Sequence, residues 1–202
     1  MSKSTQRARA HGNRLRSIFA AGAGALTMLS ACADTVTWQE EVLLNDGRTI
    51  VVTQKRRCEA GRPRDPVQAT CLARESWLTL KLPEFSGGDI VWHESLKPML
   101  LNVHEGRLYV VGRAPTTREL RAYGATNPPY FGFRWNGGRW ERIPFSEIPV
   151  AIYAANLVIE SVPTRATKFL TLQQKNSVEE NGNPVFSAYL RRIDPRHTTP
   201  SQ

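Results

Sequence analysis

The chain has 202 residues, of which 41% are hydrophobic, so it can bury one core but is too short for two enzyme-sized domains. Its formal net charge is +9, from 27 Lys and Arg against 18 Asp and Glu. Residues 1–31 hold five of these basic residues and no acidic one, which leaves 22 basic against 18 acidic in the remainder, a net charge of +4. This small excess gives no support to nucleic acid as a partner.

Residues 1–31 have the three parts of an export signal. Basic residues end at Arg16, an apolar run extends from Ile18 to Ala31, and small residues come just before Cys32. An apolar helix of about 14 residues spans about 21 Å, less than the hydrocarbon layer of about 30 Å. Two glycines within the run and the absence of an amphipathic stripe also disfavour a buried N-terminal helix. We therefore expect a cleaved signal peptide.

The segment Leu29-Ser30-Ala31-Cys32 resembles the lipobox of bacterial lipoproteins, in which a branched apolar residue and two small residues precede a cysteine. The resemblance implies that diacylglycerol is joined to the Cys32 thiol, that cleavage makes this cysteine the first residue, and that its amine is acylated. Two or three acyl chains, at about 0.8 kcal/mol for each buried methylene, would anchor the protein to a membrane. An Asp directly after the cysteine is similar to an inner-membrane retention signal of some bacteria, and here Ala33 takes that position. We therefore expect a lipid-anchored envelope protein at the periplasmic face of the outer rather than the inner membrane.

Cys58 and Cys71 are the two cysteines left once Cys32 is assigned to the lipid anchor. An exported protein meets an oxidising compartment, where such a pair is expected to form a disulfide. The residues between them, 59–70, are rich in Pro, Gly and charge and are predicted to form an irregular loop. A disulfide that closes a loop of this size would stabilise the fold by about 3 kcal/mol. We predict this disulfide, with two free buried thiols as the alternative.

From Thr35 onward the sequence predicts short strands separated by turns. Residues 35–44 alternate between apolar and polar side chains, with Glu40 as the exception on the apolar face. Asp46-Gly47 and Glu105-Gly106 predict tight hairpin turns. The other predicted strands are residues 48–55, 75–82, 89–94, 98–105 and 107–113. We expect a mainly β fold, an antiparallel meander that is sandwich-like or a partly open barrel of short hairpins with a few short helices; an α+β fold is the alternative.

A further hairpin is predicted over residues 130–144, around Asn136-Gly137-Gly138. A loop of two residues would place Phe133 opposite Trp140, whereas a loop of three would place Arg134 there. Either cross-strand pair would stabilise the hairpin by about 0.2–1 kcal/mol.

Few segments are expected to be helical. Residues 116–124 begin with a cap-like Thr and end with Gly. A helix is also predicted within residues 167–181, and residues 184–193 fit either a final strand or a short helix.

The predicted organisation has three parts: a signal peptide at 1–31, a single β-rich envelope domain at 32–194, and a disordered tail at 195–202. The tail is expected to be disordered because it has no apolar face. No internal repeat points to a larger β architecture.

Three segments resemble a family of small lipoproteins from Gram-negative bacteria: Trp38–Val42 with Asp46-Gly47, Asn127–Tyr130, and Trp140–Pro144. The resemblance extends from about residue 35 to about residue 158. It implies a lipid-anchored envelope protein. Because no activity is assigned to that family, the resemblance brings no catalytic residue with it.

The sequence assigns no catalytic residue, cofactor or metal ligand, since it holds no motif for a nucleophilic serine, a phosphate loop or a zinc protease. His93-Glu94 and His104-Glu105 repeat a pair that suits zinc, but neighbouring residues of a strand point to opposite faces, so each pair would offer one ligand. Carboxylates can hydrolyse substrates without a short motif. A periplasmic hydrolase that uses Glu75, Glu94 or Glu105 is therefore one alternative function.

Aromatic and basic residues of the predicted 130–144 hairpin suggest a binding surface. The candidate ligand-binding residues are Tyr130, Arg134, Trp135, Arg139 and Trp140. Exposed rings beside arginines suit a glycan or a protein hot spot, whereas packing of the rings in the core is the alternative. We expect a binding or interaction module with an envelope protein or a glycan as partner, ahead of a hydrolase and of a structural role in envelope integrity.

Overall fold

The computed structural model describes residues 34–60, 71–159, 168–177 and 192–198. Within these ranges the chain forms strands β1 (Asp34–Leu43), β2 (Thr49–Ala60), β3 (Cys71–Leu80), β4 (Ile90–Glu94), β5 (Lys97–His104), β6 (Arg107–Arg113), β7 (Tyr130–Trp135), β8 (Trp140–Ile143) and β9 (Phe169–Leu170). The α-helices are α1 (Thr117–Ala122) and α2 (Leu172–Lys175), and single 3-10 turns span Phe145–Glu147 and Val150–Ile152. The mainly β fold with few short helices is thus confirmed, and the predicted signal peptide and Cys32 lie outside the described residues.

The first sheet has five strands in the order β4-β3-β2-β1-β9. Strands β1 to β4 form an antiparallel meander. The predicted turn joins β1 to β2, and Gly47 there has a φ of 86°, a conformation that glycine adopts without steric cost. Because β9 pairs with β1 in parallel, the sheet is mixed.

The second sheet is antiparallel throughout, in the order β5-β6-β7-β8. Glu105 and Gly106, between β5 and β6, have φ angles of 48° and 70°. Two successive positive φ angles are typical of the tight turn that matches the twist of a hairpin. The hairpin predicted at Glu105-Gly106 is therefore confirmed.

The register of the β7–β8 hairpin differs from both predicted registers. Trp135 pairs with Trp140, so neither Phe133 nor Arg134 lies opposite Trp140. The turn is centred on residues 137–138, where the first glycine has a φ of 61°. Two glycines at the centre of the turn can adopt the positive φ angles of a tight hairpin turn at less steric cost than a pair that includes Asn136. The turn is therefore centred later in the chain than predicted, and the strand pairing is shifted with it.

The C-terminal helix prediction over 167–181 is wrong at its start. Residues 169 and 170 form β9, because the Gln39 N–H donates to the Lys168 carbonyl at 2.8 Å and Leu170 is buried. The helix within this segment is the single turn α2, capped by Thr171, whose hydroxyl accepts from the Gln174 N–H. Residues 178–181 lie outside the described ranges, as does most of the predicted 184–193 segment.

The two sheets share a core between their facing sides. Its buried side chains are Val42, Leu44, Val52, Leu78, Leu80, Leu82, Ile90, Trp92, Leu96, Leu101, Leu108, Val110, Leu120, Phe131, Phe133 and Leu157. Trp92 of the first sheet meets Phe133 of the second edge to face, with ring centroids 5.5 Å apart. Full burial of one such side chain stabilises a fold by about 1.5–3 kcal/mol. Because this layer contains the larger set of buried apolar side chains, it is the main source of stability of the described fold.

The second sheet is also covered on its other face. The buried side chains there are Met99, Leu100, Tyr109, Val111, Tyr130, Ile143, Ile148, Ile152, Tyr153, Ile159 and Ile193. Residues 108–111 of β6 are consequently buried at four successive positions. A strand covered on both faces is expected to be continuously apolar in this way.

Glu40, the exception in the alternation of β1, is fully buried. Its carboxylate accepts hydrogen bonds from Gln54 Nε2 at 2.5 Å and from Trp38 Nε1 at 3.2 Å. It also forms an ion pair with Lys175 Nζ at 2.5 Å. Burial lowers the pKa of the Lys175 ammonium below its ordinary value, and the Glu40 carboxylate offsets part of this effect.

Arg56 extends the same group of buried polar residues. Its guanidinium donates to the carbonyls of Ile159 at 2.7 Å and Val158 at 2.5 Å, and it lies 5.0 Å from the Trp38 ring centroid. We call Glu40, Gln54, Arg56 and Lys175 the buried polar cluster. It ties the chain around residues 156–159 and helix α2 to the first sheet, and buried polar groups of this kind are tolerated because they are hydrogen-bonded.

Candidate functional site

A cleft of about 370 Å³ opens where β8 ends. Strand β8 stops at Ile143, which pairs with Gly132, so Tyr130 and Phe131 of β7 extend past the last partner in β8. The lining residues are Thr126, Tyr130, Phe131, Arg142, Ile143, Pro144 and Phe145. We call this the β7–β8 cleft, and its volume lies in the range of about 300–1,000 Å³ that is usual for small-molecule sites.

Prolines on both sides of the cleft explain its position. The loop before β7 contains Pro128 and Pro129, and the Tyr130 N–H donates to the Pro128 carbonyl at 2.9 Å. Pro144 follows Ile143 directly and has no N–H for a further ladder hydrogen bond, so β8 ends there. The 3-10 turn after Pro144 brings the Phe145 ring to 6.0 Å from the Tyr130 ring, measured between centroids.

Arg142 is the charged residue of the cleft. Its side chain is exposed, and its guanidinium carbon lies 4.9 Å from the Phe131 ring centroid and 6.0 Å from that of Tyr123. Over the described part of the chain, no carboxylate forms an ion pair with this guanidinium. The neighbouring Glu141 instead binds Asn136 Nδ2 at 2.8 Å and Arg139 Nη2 at 3.1 Å, and these contacts lower its pKa. The positive charge of Arg142 is therefore not neutralised by a carboxylate of the described residues.

Tyr123 supports the aromatic wall from behind. Its ring lies 5.2 Å from that of Phe131, and its hydroxyl donates to Glu94 Oε2 at 2.5 Å while it accepts from the Ser95 N–H at 3.0 Å. Burial, and then the Glu94 carboxylate, raise the pKa of Tyr123 to about 12. At neutral pH the phenol is therefore uncharged and does not act as a counter-ion for Arg142.

Two hydroxyl groups beside the cleft differ in their hydrogen bonding. The Tyr130 hydroxyl accepts from the Asp194 N–H at 3.3 Å. Thr126 Oγ1 is buried and has no hydrogen-bond partner among the described residues. The segment after Asp194 also reaches this region, because residues 195–198, the start of the predicted disordered tail, contain a turn and bring the His197 ring to 6.2 Å from Tyr130.

Of the five predicted ligand-binding residues, Tyr130 lines the cleft. Trp135 and Trp140 are half-buried and meet edge to face with centroids 5.4 Å apart. Their indole N–H groups donate to the carbonyls of Phe85 at 3.3 Å and Val91 at 3.0 Å. The two tryptophans therefore join the sheets at one end of the core, and a binding role for their partly exposed rings stays a prediction.

The two predicted arginines lie outside the cleft lining. Arg134 pairs with Glu147 at 3.2 Å, and Arg139 pairs with Glu141 at 3.1 Å. Exposed ion pairs of this kind contribute little to stability. Arg142 is the third arginine beside the aromatic residues of this hairpin in the sequence, but it is not among the five predicted ligand-binding residues.

The carboxylates considered for hydrolysis do not converge on one site: Glu94 of β4 pairs with Ser76 of β3, so the side chain of the neighbouring Glu75 points to the other face of the sheet. Glu75 on the first sheet pairs with Arg57 at 2.8 Å, Glu94 accepts from Tyr123, and Glu105 is in the β5–β6 turn. None of the three is in the cleft lining. Across the described ranges, no three His, Cys, Asp or Glu side chains come close enough to hold a metal ion.

The two histidines of the repeated pairs lie on different sheets. His93 of β4 stacks on Trp77, with centroids 4.5 Å apart and 11° between the planes. His104 ends β5 and lies 3.8 Å from Glu105. The two histidines thus lie in separate local environments.

Cys58 is buried and disulfide-bonded. Cys58 lies on β2 and Cys71 begins the neighbouring strand β3; Cys58 pairs with Ala73, and Cys71 pairs with Ala60. The two cysteines are thus two positions apart along one ladder. The side chain of Cys71 is outside the described set, so the Cys58–Cys71 pairing stays a prediction. The predicted loop begins later than expected, because β2 continues to residue 60, and residues 61–70 are not among those described.

Comparison with known proteins finds no match among family models, curated proteins or solved structures. No helix in the described ranges is long and apolar enough to cross a membrane. The β7–β8 cleft and the lipobox-like segment are therefore the two features of this chain that bear on its function.

Proposed function

We propose that this chain is a lipid-anchored protein of the bacterial envelope whose β domain is a binding module, with the β7–β8 cleft as its binding site. The anchor is supported by the resemblance of residues 29–32 to a lipobox, and by the apolar run that precedes them. The binding role is supported by the chemistry of the cleft.

The exposed charge of Arg142 is the observation that carries the binding role. The two other arginines of the β7–β8 hairpin, Arg134 and Arg139, each pair with a carboxylate. Arg142 instead lies over Phe131 at the rim of an apolar cleft and has no such partner within the described residues. A cation held at the rim of an aromatic cleft is a favourable site for a ligand that supplies the missing negative charge.

The anchor and the domain fit together in the proposed arrangement. Cys32 is two residues before Asp34, where β1 begins. A lipid on Cys32 would therefore hold the first sheet close to the membrane surface. The cleft belongs to the second sheet, and we propose that its partner is a component of the envelope.

Catalysis by carboxylates has less support. A glycosidase-type hydrolase needs two carboxyl groups about 5–9.5 Å apart across a cleft. The described residues that line the β7–β8 cleft include no carboxylate. A purely structural role in envelope integrity would not explain why a cation without a described carboxylate partner lies at the rim of an apolar cleft.

Replacement of Cys32 tests the anchor. We expect that Cys32→Ala gives an uncleaved precursor that takes up no radiolabelled fatty acid, because the thiol that accepts the lipid is gone. Replacement of a different cysteine, Cys58→Ala, is the matched control and should still be labelled. Label on the Cys32→Ala chain would contradict the anchor.

Site-specific photocrosslinking in intact envelopes tests the binding role. A photoreactive phenylalanine analogue at Phe145 is placed in the cleft lining, and the same analogue at Val51 is placed on the exposed face of the first sheet. We expect a discrete crosslinked product from position 145 that disappears in the Arg142→Gln background. Equal products from both positions, or a product that persists without Arg142, would contradict the proposal.

A further inference from the structure

We infer that the ligand of the β7–β8 cleft is an organic carboxylate with a small apolar body, whose carboxylate binds Arg142 while the body fills the apolar part of the cleft beside Phe145. This inference rests on the proposed function, since it names the class of ligand that the same cleft takes.

The charge of the cleft selects an anion with a single negative charge. Arg142 is the one charged side chain in the described lining. A guanidinium presents parallel N–H donors that match the two oxygens of a carboxylate. A phosphate monoester carries nearly two negative charges and is usually held by several cations or backbone N–H groups. One cation in an otherwise uncharged cleft therefore fits a carboxylate better than a phosphate.

The lining of the cleft selects an apolar body. Tyr130 and Phe131 are adjacent on β7 and are 2% and 1% exposed, because they pack in the cores on opposite faces of the second sheet. The half-buried Phe145 is therefore the aromatic residue of the lining that a ligand can cover. Burial of apolar area against it contributes about 25 cal/mol for each Å².

The guanidinium is positioned before the ligand arrives. Phe131 lies beneath Arg142, and the Phe131 ring is itself supported by Tyr123, whose hydroxyl is held by Glu94 and Ser95. A flexible side chain that is already restricted loses less conformational entropy when it binds. Arg142 and the aromatic wall thus form one arrangement that is ready for a carboxylate.

Calorimetric titration with phenylacetate, phenylacetamide and acetate separates the two halves of the inference. We expect phenylacetate to bind the full chain, and phenylacetamide to bind about tenfold or more weakly because it lacks the charge for the guanidinium. Acetate should also bind about tenfold or more weakly, since it has no body to cover the aromatic wall. Equal affinity for the acid and the amide would overturn the role of the carboxylate.

Variants at the cationic residue complete the test. Arg142→Gln should abolish the preference for phenylacetate over its amide, and Arg142→Lys should retain part of it because lysine keeps the charge without the paired donors. Arg107→Gln is the matched control. Arg107 is an exposed arginine at the start of β6, whereas the end of β6, at Arg113, pairs with Tyr130 of the cleft. An unchanged preference in Arg142→Gln, or an equal loss in Arg107→Gln, would overturn the inference.

Two sources of carboxylate are distinguished by a third probe. The tripeptide Ala-Ala-Phe, with a free or an amidated C-terminus, shows whether the cleft takes a peptide terminus or a free small acid. Tighter binding of the free tripeptide than of phenylacetate identifies the peptide terminus as the source, and the reverse identifies a small acid. If the Phe145 crosslink depends on Arg142 but phenylacetate and phenylacetamide bind equally, the proposed function stands and this inference fails. If the crosslink is absent, the proposed function fails, and this inference fails with it.

Discussion

Two arginines of this domain lie over aromatic rings, and their surroundings are opposite. Arg56 is buried against Trp38 and donates to the carbonyls of Val158 and Ile159. Arg142 is exposed over Phe131 and has no carboxylate partner among the described residues. The difference separates a charge that the fold uses from a charge that we propose binds a ligand.

The two regions also differ in how their charged groups are bonded. The polar groups of the buried polar cluster are bonded within the fold, because Glu40 pairs with Lys175 and the Arg56 guanidinium donates to two backbone carbonyls. The β7–β8 cleft contains one charge and aromatic walls, and its complement must come from outside the described chain. Substitutions should therefore affect stability in the first region and binding in the second.

The largest effect is expected from Glu40→Ala. This change leaves the buried Lys175 ammonium without its carboxylate, and the free energy of unfolding should fall by about 3–5 kcal/mol. Urea denaturation measures the loss. The double variant with Lys175→Met should be more stable than Glu40→Ala alone, because it also removes the unpaired charge. A loss below about 1 kcal/mol in Glu40→Ala would show that the buried polar cluster does not hold this region.

The two arginines give the next contrast. Arg56→Gln should lower the free energy of unfolding by more than about 2 kcal/mol, because two buried carbonyls lose a charged donor and such groups cost about 1–3 kcal/mol each. Arg142→Gln should change it by no more than about 0.5 kcal/mol, as is usual at an exposed position. Chemical denaturation of the two variants side by side provides the measurement. Similar losses in both would remove the distinction between them.

Tyr123→Phe should have a smaller effect, a loss of about 1 kcal/mol, because the half-buried hydrogen bonds of this hydroxyl to Glu94 and from the Ser95 N–H disappear. The same hydroxyl gives a pH dependence. Its pKa is raised from 10.0 in the unfolded chain to about 12 in the fold, so the stabilisation is complete below pH 10 and is lost as the pH rises towards 12. Burial also raises the pKa of Tyr153, so ultraviolet titration of the tyrosines should show late-ionising groups, of which one is missing in Tyr123→Phe. Titration of all tyrosines together near pH 10 would contradict this assignment.

The smallest effect is expected from Thr126→Val. Thr126 Oγ1 is buried without a described hydrogen-bond partner, and valine has nearly the same shape. The free energy of unfolding should stay within about 0.5 kcal/mol or rise slightly, because an unsatisfied buried hydroxyl is removed. A thermal denaturation curve checks this, and a clear loss of stability would reveal a hydrogen bond at that oxygen.

The strands of this domain could be predicted from the sequence because their signals are local. Alternation located β1, Gly47 and Gly106 marked two turns, and Glu40 stood out as a polar residue on an apolar face. Signals of this kind depend on neighbouring residues and on the steric freedom of glycine.

The cleft could not be predicted because it depends on contacts between distant segments. The register of β7 against β8 depends on which residues form the centre of a glycine-rich turn. Strand β9 pairs with β1 across about 130 residues of sequence, as the Gln39–Phe169 pair shows. Arg142 acquires its role because β8 ends at Pro144 and Phe145 returns towards Tyr130. An aromatic and basic composition identified the hairpin as a candidate but not which arginine remains uncompensated.

The most direct test is a heteronuclear N–H correlation spectrum of the arginine side chains during titration with phenylacetate, with Arg142→Lys and Arg56→Lys used to assign the two signals. We expect the Arg56 Nε–H to exchange slowly with water and not to move, because the side chain is buried and its Nη groups donate to the carbonyls of Val158 and Ile159. The Arg142 Nε–H should exchange quickly without ligand, then shift and become protected as phenylacetate is added, and phenylacetamide should leave it unchanged. An Arg142 signal that does not respond to phenylacetate, or an Arg56 signal that responds equally, would contradict the account.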